Sequence, residues 1–284
     1  MNGDLERRLR ADLHRFTRSE REIATYMLAN LQDLPFETAA TIAARVGVSQ
    51  MTVSRFMRTL GYSGIGELKE ELRESSLNPS LLLTDRAEHL KKRGPAGRDL
   101  HASLQLEIRA LVAVYELVGT PLWQRVVETL CDSDAVFVAG FQTLGGIAAD
   151  FAARLQYLRP EVGVLDGADG TFAALFGGKA DAPALVLFEM RRYTRLSQLL
   201  AEQASRAGVR LIVICDRHCH WAHAHTEDVL AVNTESRLFW DSQSPFVSLS
   251  NLLFEDIAQR LGERATDRIG RLTALQQNFG AFLD

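Results

Sequence analysis

The chain has 284 residues, 46% hydrophobic and 24% charged, enough apolar side chain for one sizeable core and a second small one. Lys and Arg number 32 against 36 Asp and Glu; the formal net charge of −4 excludes a wholesale polyanion binder but leaves room for a local basic surface. The 3 Cys argue against a disulfide-stapled secreted scaffold, and no apolar run reaches the roughly 20 residues of a membrane helix, nor does a signal-peptide core follow Met1–Arg8. A cytoplasmic, two-domain protein with no membrane partner is expected.

To about Leu77 the chain reads as helices only. Ser19 and Glu22 have capping-box spacing, and Ile23, Met27, Leu28 and Leu31 behind them fall on one helix face. Pro35 closes that helix. A second spans Ala39 to Val46 and ends at Gly47, a third runs from Ser49 to Leu60, and Lys69 to Glu74 continues a charged helix. Residues 78–99 change character, with breakers at Asn78-Pro79-Ser80 and Gly94-Pro95-Ala96-Gly97 and a basic run at Lys91-Lys92-Arg93. They predict a linker with a short helix around Leu81 to Leu90.

From residue 100 to 284 strands and helices alternate. Helices Leu104–Leu117 and Leu122–Leu130 precede five predicted strands: Ala135–Ala139, Gly163–Leu165, Ala184–Phe188, Val209–Ile214 and Val229–Val232. Between them lie helices at Ile147–Leu158, around Thr171–Phe176 and at Leu196–Ala207, and a large helix follows at Phe246–Leu261. This order predicts a doubly wound parallel sheet. The expected class is therefore α plus α/β, with a helical domain over 1–77, a linker over 78–99 and an α/β domain over 100–284.

The sharpest segment is Thr41 to Leu60, where two short helices meet at a tight turn. Ala43 is small enough for close helix approach, and Gly47 supplies the positive φ that the turn needs. Val48, Val53, Phe56 and Leu60 form the inner face of the second helix. Ser49, Gln50, Met51, Thr52, Ser54, Arg55 and Arg58 then lie at its start and outer face, the candidate DNA-binding residues. From Thr38 to Gly66 there are three arginines (45, 55 and 58) and no acid, which suits a phosphate backbone. A plain helical hairpin explains this coincidence of turn, cap, inner face and charge less well than DNA binding does.

Ala43, Gly47-Val48-Ser49, Thr52-Val53, Arg55-Phe56, Leu60-Gly61, Gly64 and Lys69 together resemble the N-terminal domain of RpiR-type bacterial transcription regulators. The resemblance implies a helix-turn-helix domain joined to a SIS (sugar isomerase) domain, a flavodoxin-like sensor of phosphorylated sugars. The order of elements after Leu100 matches that arrangement.

Two predicted strand ends depart from the family's phosphate loops. The first, Gly140-Phe141-Gln142-Thr143-Leu144, has Gln142 where the resemblance implies a second glycine and Leu144 near its serine. The second, Glu189-Met190-Arg191-Arg192-Tyr193-Thr194, keeps only Thr194 of an expected S-x-S-G-x-T pattern. Two arginines at a helix start still suit an anion, so Gln142, Thr143, Glu189, Arg191, Arg192, Tyr193 and Thr194 are the candidate ligand-binding residues. A structural network, for example Glu189 paired with Arg192 at a dimer interface, is the competing reading. The run Cys215 to His225 holds 4 of the 7 His and 2 of the 3 Cys. Its spacing fits no established zinc site, so it reads as a polar loop or pocket rim, with no metal and no cofactor expected.

The leading reading is a non-enzymatic regulator binding a double-stranded operator as a homodimer or tetramer and sensing a small anionic metabolite, a sugar phosphate or related carboxylate or phosphate. An isomerase-like enzyme with an accessory helical domain stays open, though it would need a general base beside an intact cradle and assigns no catalytic residue here. A constitutive DNA-binding protein with a degenerate sensor also stays open.

Overall fold

The structure, a computed structural model, describes residues 3–30, 34, 37–69, 86–87, 90–91, 99–168 and 170–280. The chain divides into two compact units, Met1–Arg98 and Asp99–Asp284. The expected helix at Leu81–Leu90 and the Lys69–Glu74 continuation fall almost wholly outside the described residues.

The first unit holds α1 (Gly3–Asp12), α2 (Arg18–Ala29), α3 (Ala39–Val46) and α4 (Gln50–Thr59). Their apolar faces meet in one cluster around Leu9, Ile23, Met27, Ile42, Val53, Phe56 and Met57, all fully buried. Phe16 stands edge-on to Phe56 at 5.0 Å between ring centroids. This contact explains one correction. The capping box of α2 uses Thr17 and Glu20, two residues earlier than the Ser19–Glu22 spacing predicts. The Glu20 carboxylate accepts from the Thr17 amide at 3.0 Å and from its hydroxyl at 2.8 Å. Both tetrapeptides satisfy the pattern, but burying Phe16 fixes where the chain enters the helix. Glu22 pairs instead with Arg18 one turn back, at 3.2 Å.

The second unit opens with α5 (Leu100–Leu117), whose N-cap Asp99 accepts from the Ala102 amide at 2.9 Å, and α6 (Pro121–Asp132). Then follow β1 (Val136–Gly140), α7 (Gly145–Leu158), β2 (Val162–Leu165), α8 (Ala173–Phe176), β3 (Ala184–Glu189), α9 (Arg195–Arg206), β4 (Arg210–Asp216), β5 (Val229–Val232), α10 (Ser244–Leu261) and α11 (Glu263–Asn278). The sheet order is β2-β1-β3-β4-β5, every pair parallel. This is the flavodoxin-like order.

Alternation along the strands divides the core into two layers. Val136, Val138, Val186, Phe188, Ile212 and Ile214 face Trp123 of α6, Phe151 of α7 and Phe246 of α10. Ala139, Leu185, Leu187, Leu211 and Val213 face Leu200 and Ala201 of α9. Burial on both faces is why these strands read as continuous apolar runs rather than alternating ones. The chain leaves β1 to one side for β2 and returns to the other side for β3. The carboxyl ends of β1 and β3 therefore lie adjacent, Gly140 in register with Phe188. Ligands of such sheets sit at this reversal.

Candidate DNA-reading helix and candidate ligand cradle

The turn before α4 is built as its sequence requires. Gly47 sits at φ 76°, and both its amide and that of Val48 donate to the Ala43 carbonyl, at 2.9 and 3.0 Å. A side chain at that φ would be strained, so the glycine is needed for conformation. Ser49 caps α4, its hydroxyl accepting from the Thr52 amide at 3.1 Å. Val53, Phe56 and Met57 hold the inner face; Met57 was not singled out by its spacing, yet it is fully buried.

Gln50, Met51, Arg55 and Arg58 are exposed, while Thr52 and Ser54 are half-buried. Residues 51, 55 and 58 fall at i, i+4 and i+7, a single outward stripe. Met51 is 76% exposed. Ser49 and Thr52 are occupied with one another, their hydroxyls 2.8 Å apart.

The acid-free window of the sequence does not stay acid-free in space. Arg45 bonds the Tyr26 hydroxyl at 2.7 Å and the Glu37 carboxylate at 2.7 Å, and Glu37 is 5% exposed. Tyr26 also donates to Glu37 at 2.9 Å. This triad ties α3 to α2, so Arg45 is a structural cation. Arg55 lies beside Glu20, whose carboxyl is held below its usual value first by the Thr17 amide and, more weakly, by Arg55. Arg58 has no acid of that kind beside it among the interactions described.

At the carboxyl end of β1, Gly140 is required sterically: a Cβ there would stand 2.7 Å from the Leu144 carbonyl oxygen. The next residues form a single 3-10 turn, Gln142–Leu144, leading into α7. Gln142 takes φ 52°, the left-handed region. The backbone thus takes a glycine-favoured conformation at a non-glycine residue. Leu144 is 2% exposed and belongs to the core, while Gln142 and Thr143 are exposed. The Thr143 carbonyl accepts from Gln243 at 3.3 Å.

At the carboxyl end of β3 the residues are spent on one another. Glu189 is 3% exposed. Its carboxylate accepts from the Met190 amide at 3.0 Å, the Thr194 amide at 3.1 Å and the Thr194 hydroxyl at 3.4 Å. Burial pushes its carboxyl up, against hydrogen bonds from Ser197, Thr194 and Met190 that pull it down. Thr194 caps α9 by accepting from the Ser197 amide at 3.0 Å. The Arg191 side chain is 3% exposed, with its guanidinium 3.9 Å from Asp241. Tyr193 donates to Asp216 at 2.8 Å; burial and then the Asp216 charge push its phenol far up. Of the seven candidate ligand residues, Gln142, Thr143 and Arg192 remain exposed. Glu189, Arg191, Tyr193 and Thr194 form an internal network.

Asp216 and Asp241, 1% and 6% exposed, belong to that network and were not singled out from the sequence. Asp216 also accepts from the His218 amide at 2.8 Å. One signal was available for it: an acid directly after the apolar run Leu211–Cys215 lies at a strand end. Nothing comparable marks Asp241. In the Cys215–His225 run, Cys215, Cys219 and Ala222 are buried in the core, so the segment is not wholly a polar loop. Among the described residues no three His, Cys, Asp or Glu side chains converge as a metal site would need.

Residues 3–79 match the family model described as "Helix-turn-helix domain, rpiR family". The chain is 25% identical over 206 residues to the HTH-type transcriptional regulator HexR of Pseudomonas aeruginosa, covering 72% of this chain and 69% of that one. It is 18% identical to an uncharacterized HTH-type transcriptional regulator of Clostridium perfringens, over 89% and 91% of the two chains. The sugar isomerase domain of an RpiR transcription factor from Sphaerobacter thermophilus superposes with a TM-score of 0.57 at 20% identity, over 62% of this chain and 98% of that one. The Vibrio vulnificus NanR protein, solved with ManNAc-6P, gives 0.57 at 16% identity over 96% and 98%. The structural likenesses establish the fold.

Proposed function

We propose, from the match of residues 3–79 to the rpiR-family helix-turn-helix model, that this chain is a transcriptional regulator that reads a DNA operator with α4 and senses a small metabolite with its SIS-type α/β domain. The observation that carries the first half is the outward stripe of Met51, Arg55 and Arg58 on a capped helix after a glycine turn. Arginines so placed reach guanine edges or phosphates, and an exposed methionine suits a thymine methyl. Two copies bound as a homodimer, or a tetramer of such pairs, would present two such helices to a palindrome. A cytoplasmic site of action follows from that role.

NanR was solved with a sugar phosphate, which makes phosphorylated sugars the first effectors to try here. The ligand position supported by topology is the β1/β3 reversal, with Gln142, Thr143 and Arg192 exposed around it. A regulator is favoured over an isomerase because the buried carboxylate nearest that reversal, Glu189, is committed to its own loop rather than poised as a base. Selection of bound duplexes from a random pool tests the reading. A recovered palindrome or repeat supports it; a pool with no enriched sequence contradicts it.

A further inference from the structure

We propose that Glu189 is a resident anion: its carboxylate fills the donor cradle between β3 and α9 and bars an external phosphate from it. Three donors converge on this one side chain. Two are backbone amides, of Met190 and Thr194, and the third is the Thr194 hydroxyl, which lies 2.7 Å from the Ser197 hydroxyl. Loop amides and hydroxyls gathered at the start of a 12-residue helix are what an oxyanion requires. Here the chain supplies the oxyanion itself, from the last residue of the central strand.

The neighbours reinforce the exclusion. Glu189 is in register with Cys215 of β4, and the next residue, Asp216, carries a second carboxylate buried at 1% exposure. Asp241, at 6%, is a third, and the buried guanidinium of Arg191 faces it. An incoming phosphate would have to displace Glu189 from its donors and would add charge to a strand-end group already rich in buried carboxylates. Glu189 is therefore a specificity-determining residue: it restricts the effector to one whose anionic group, if it has one, is held outside this cradle. The restriction on the effector rests on the sensing role proposed above; the exclusion of phosphate from the cradle does not.

Inorganic phosphate is the probe, titrated into the full chain and followed by calorimetry. The parent is expected to show no saturable binding at millimolar phosphate. Glu189→Ser, which removes the charge and opens the space, is expected to gain at least about tenfold in phosphate affinity. Glu189→Asp, which keeps the charge, should gain nothing. A folded Glu189→Ser that binds phosphate no better than the parent overturns the proposal. Should the serine variant not fold, the parent decides the matter by NMR: the Met190 and Thr194 amide resonances are expected to stay fixed on adding phosphate. Saturable shifts of those two resonances would overturn it.

Discussion

At the scale of single residues, two positions hold a conformation or a partner that their neighbours impose. Gln142 stands at φ 52° in the turn that leads from β1 to α7. A non-glycine residue there costs on the order of 1 kcal/mol. Gln142→Gly is thus expected to raise stability by up to about 1 kcal/mol, read by urea denaturation. A loss would mean that the Gln142 side chain holds the turn. Thr17 carries the capping box with Glu20. Thr17→Ala should cost about 1 kcal/mol, whereas Ser19→Ala should cost little, which a pair of thermal melts resolves. The Glu20 carboxyl is held below its usual value, so its contribution is full at neutral pH and fades as acid protonates it.

At the scale of elements, α5 bears an apolar stripe left exposed by the described residues of its own unit. Leu100, Leu104, Ile108, Val112 and Tyr115 are between 45% and 63% exposed, at spacings of three and four. A regulator acting on a palindrome needs a two-fold interface, and this stripe suits a helix pairing with its own copy. Ile108→Glu is expected to convert an oligomer to monomer in sedimentation, with little change in the thermal melt of the monomer. An unaltered oligomer would place the interface elsewhere, with the exposed Leu275 and Phe279 at the end of the chain as the next candidates.

The same scale shows what the sequence made legible. The five strands stood out because burial on both faces leaves unbroken apolar runs, and α3, Gly47 and α4 because caps and turns are local chemistry. The position of the α2 cap did not, since two overlapping tetrapeptides fit one pattern and only the packing of Phe16 on Phe56 selects between them. Arg45 reads as a DNA-facing cation until Glu37 and Tyr26 arrive from other segments. Arg191 is likewise committed to Asp241, 50 positions further along the chain. Pairings of that separation leave no periodic trace.

At the scale of the molecule, one unit carries the exposed basic stripe and the other the sheet reversal, so binding and sensing are assigned to different parts of the chain. A metabolite that shifts DNA affinity must bind the DNA-competent and DNA-incompetent states differently, commonly by 5- to 150-fold (about 1–3 kcal/mol). A thermal-shift screen of sugar phosphates and carboxylates on the full chain, followed by operator titrations with each hit, would find it. If α4 reads DNA through Arg55 and Arg58, as proposed, binding of the selected duplex depends on salt through those two side chains. Parent protein should lose affinity steeply with salt, and Arg55→Ala/Arg58→Ala should bind more weakly with a slope smaller by about one per lost phosphate contact. Equal affinity and equal slope for the two proteins, with both folded, would contradict it.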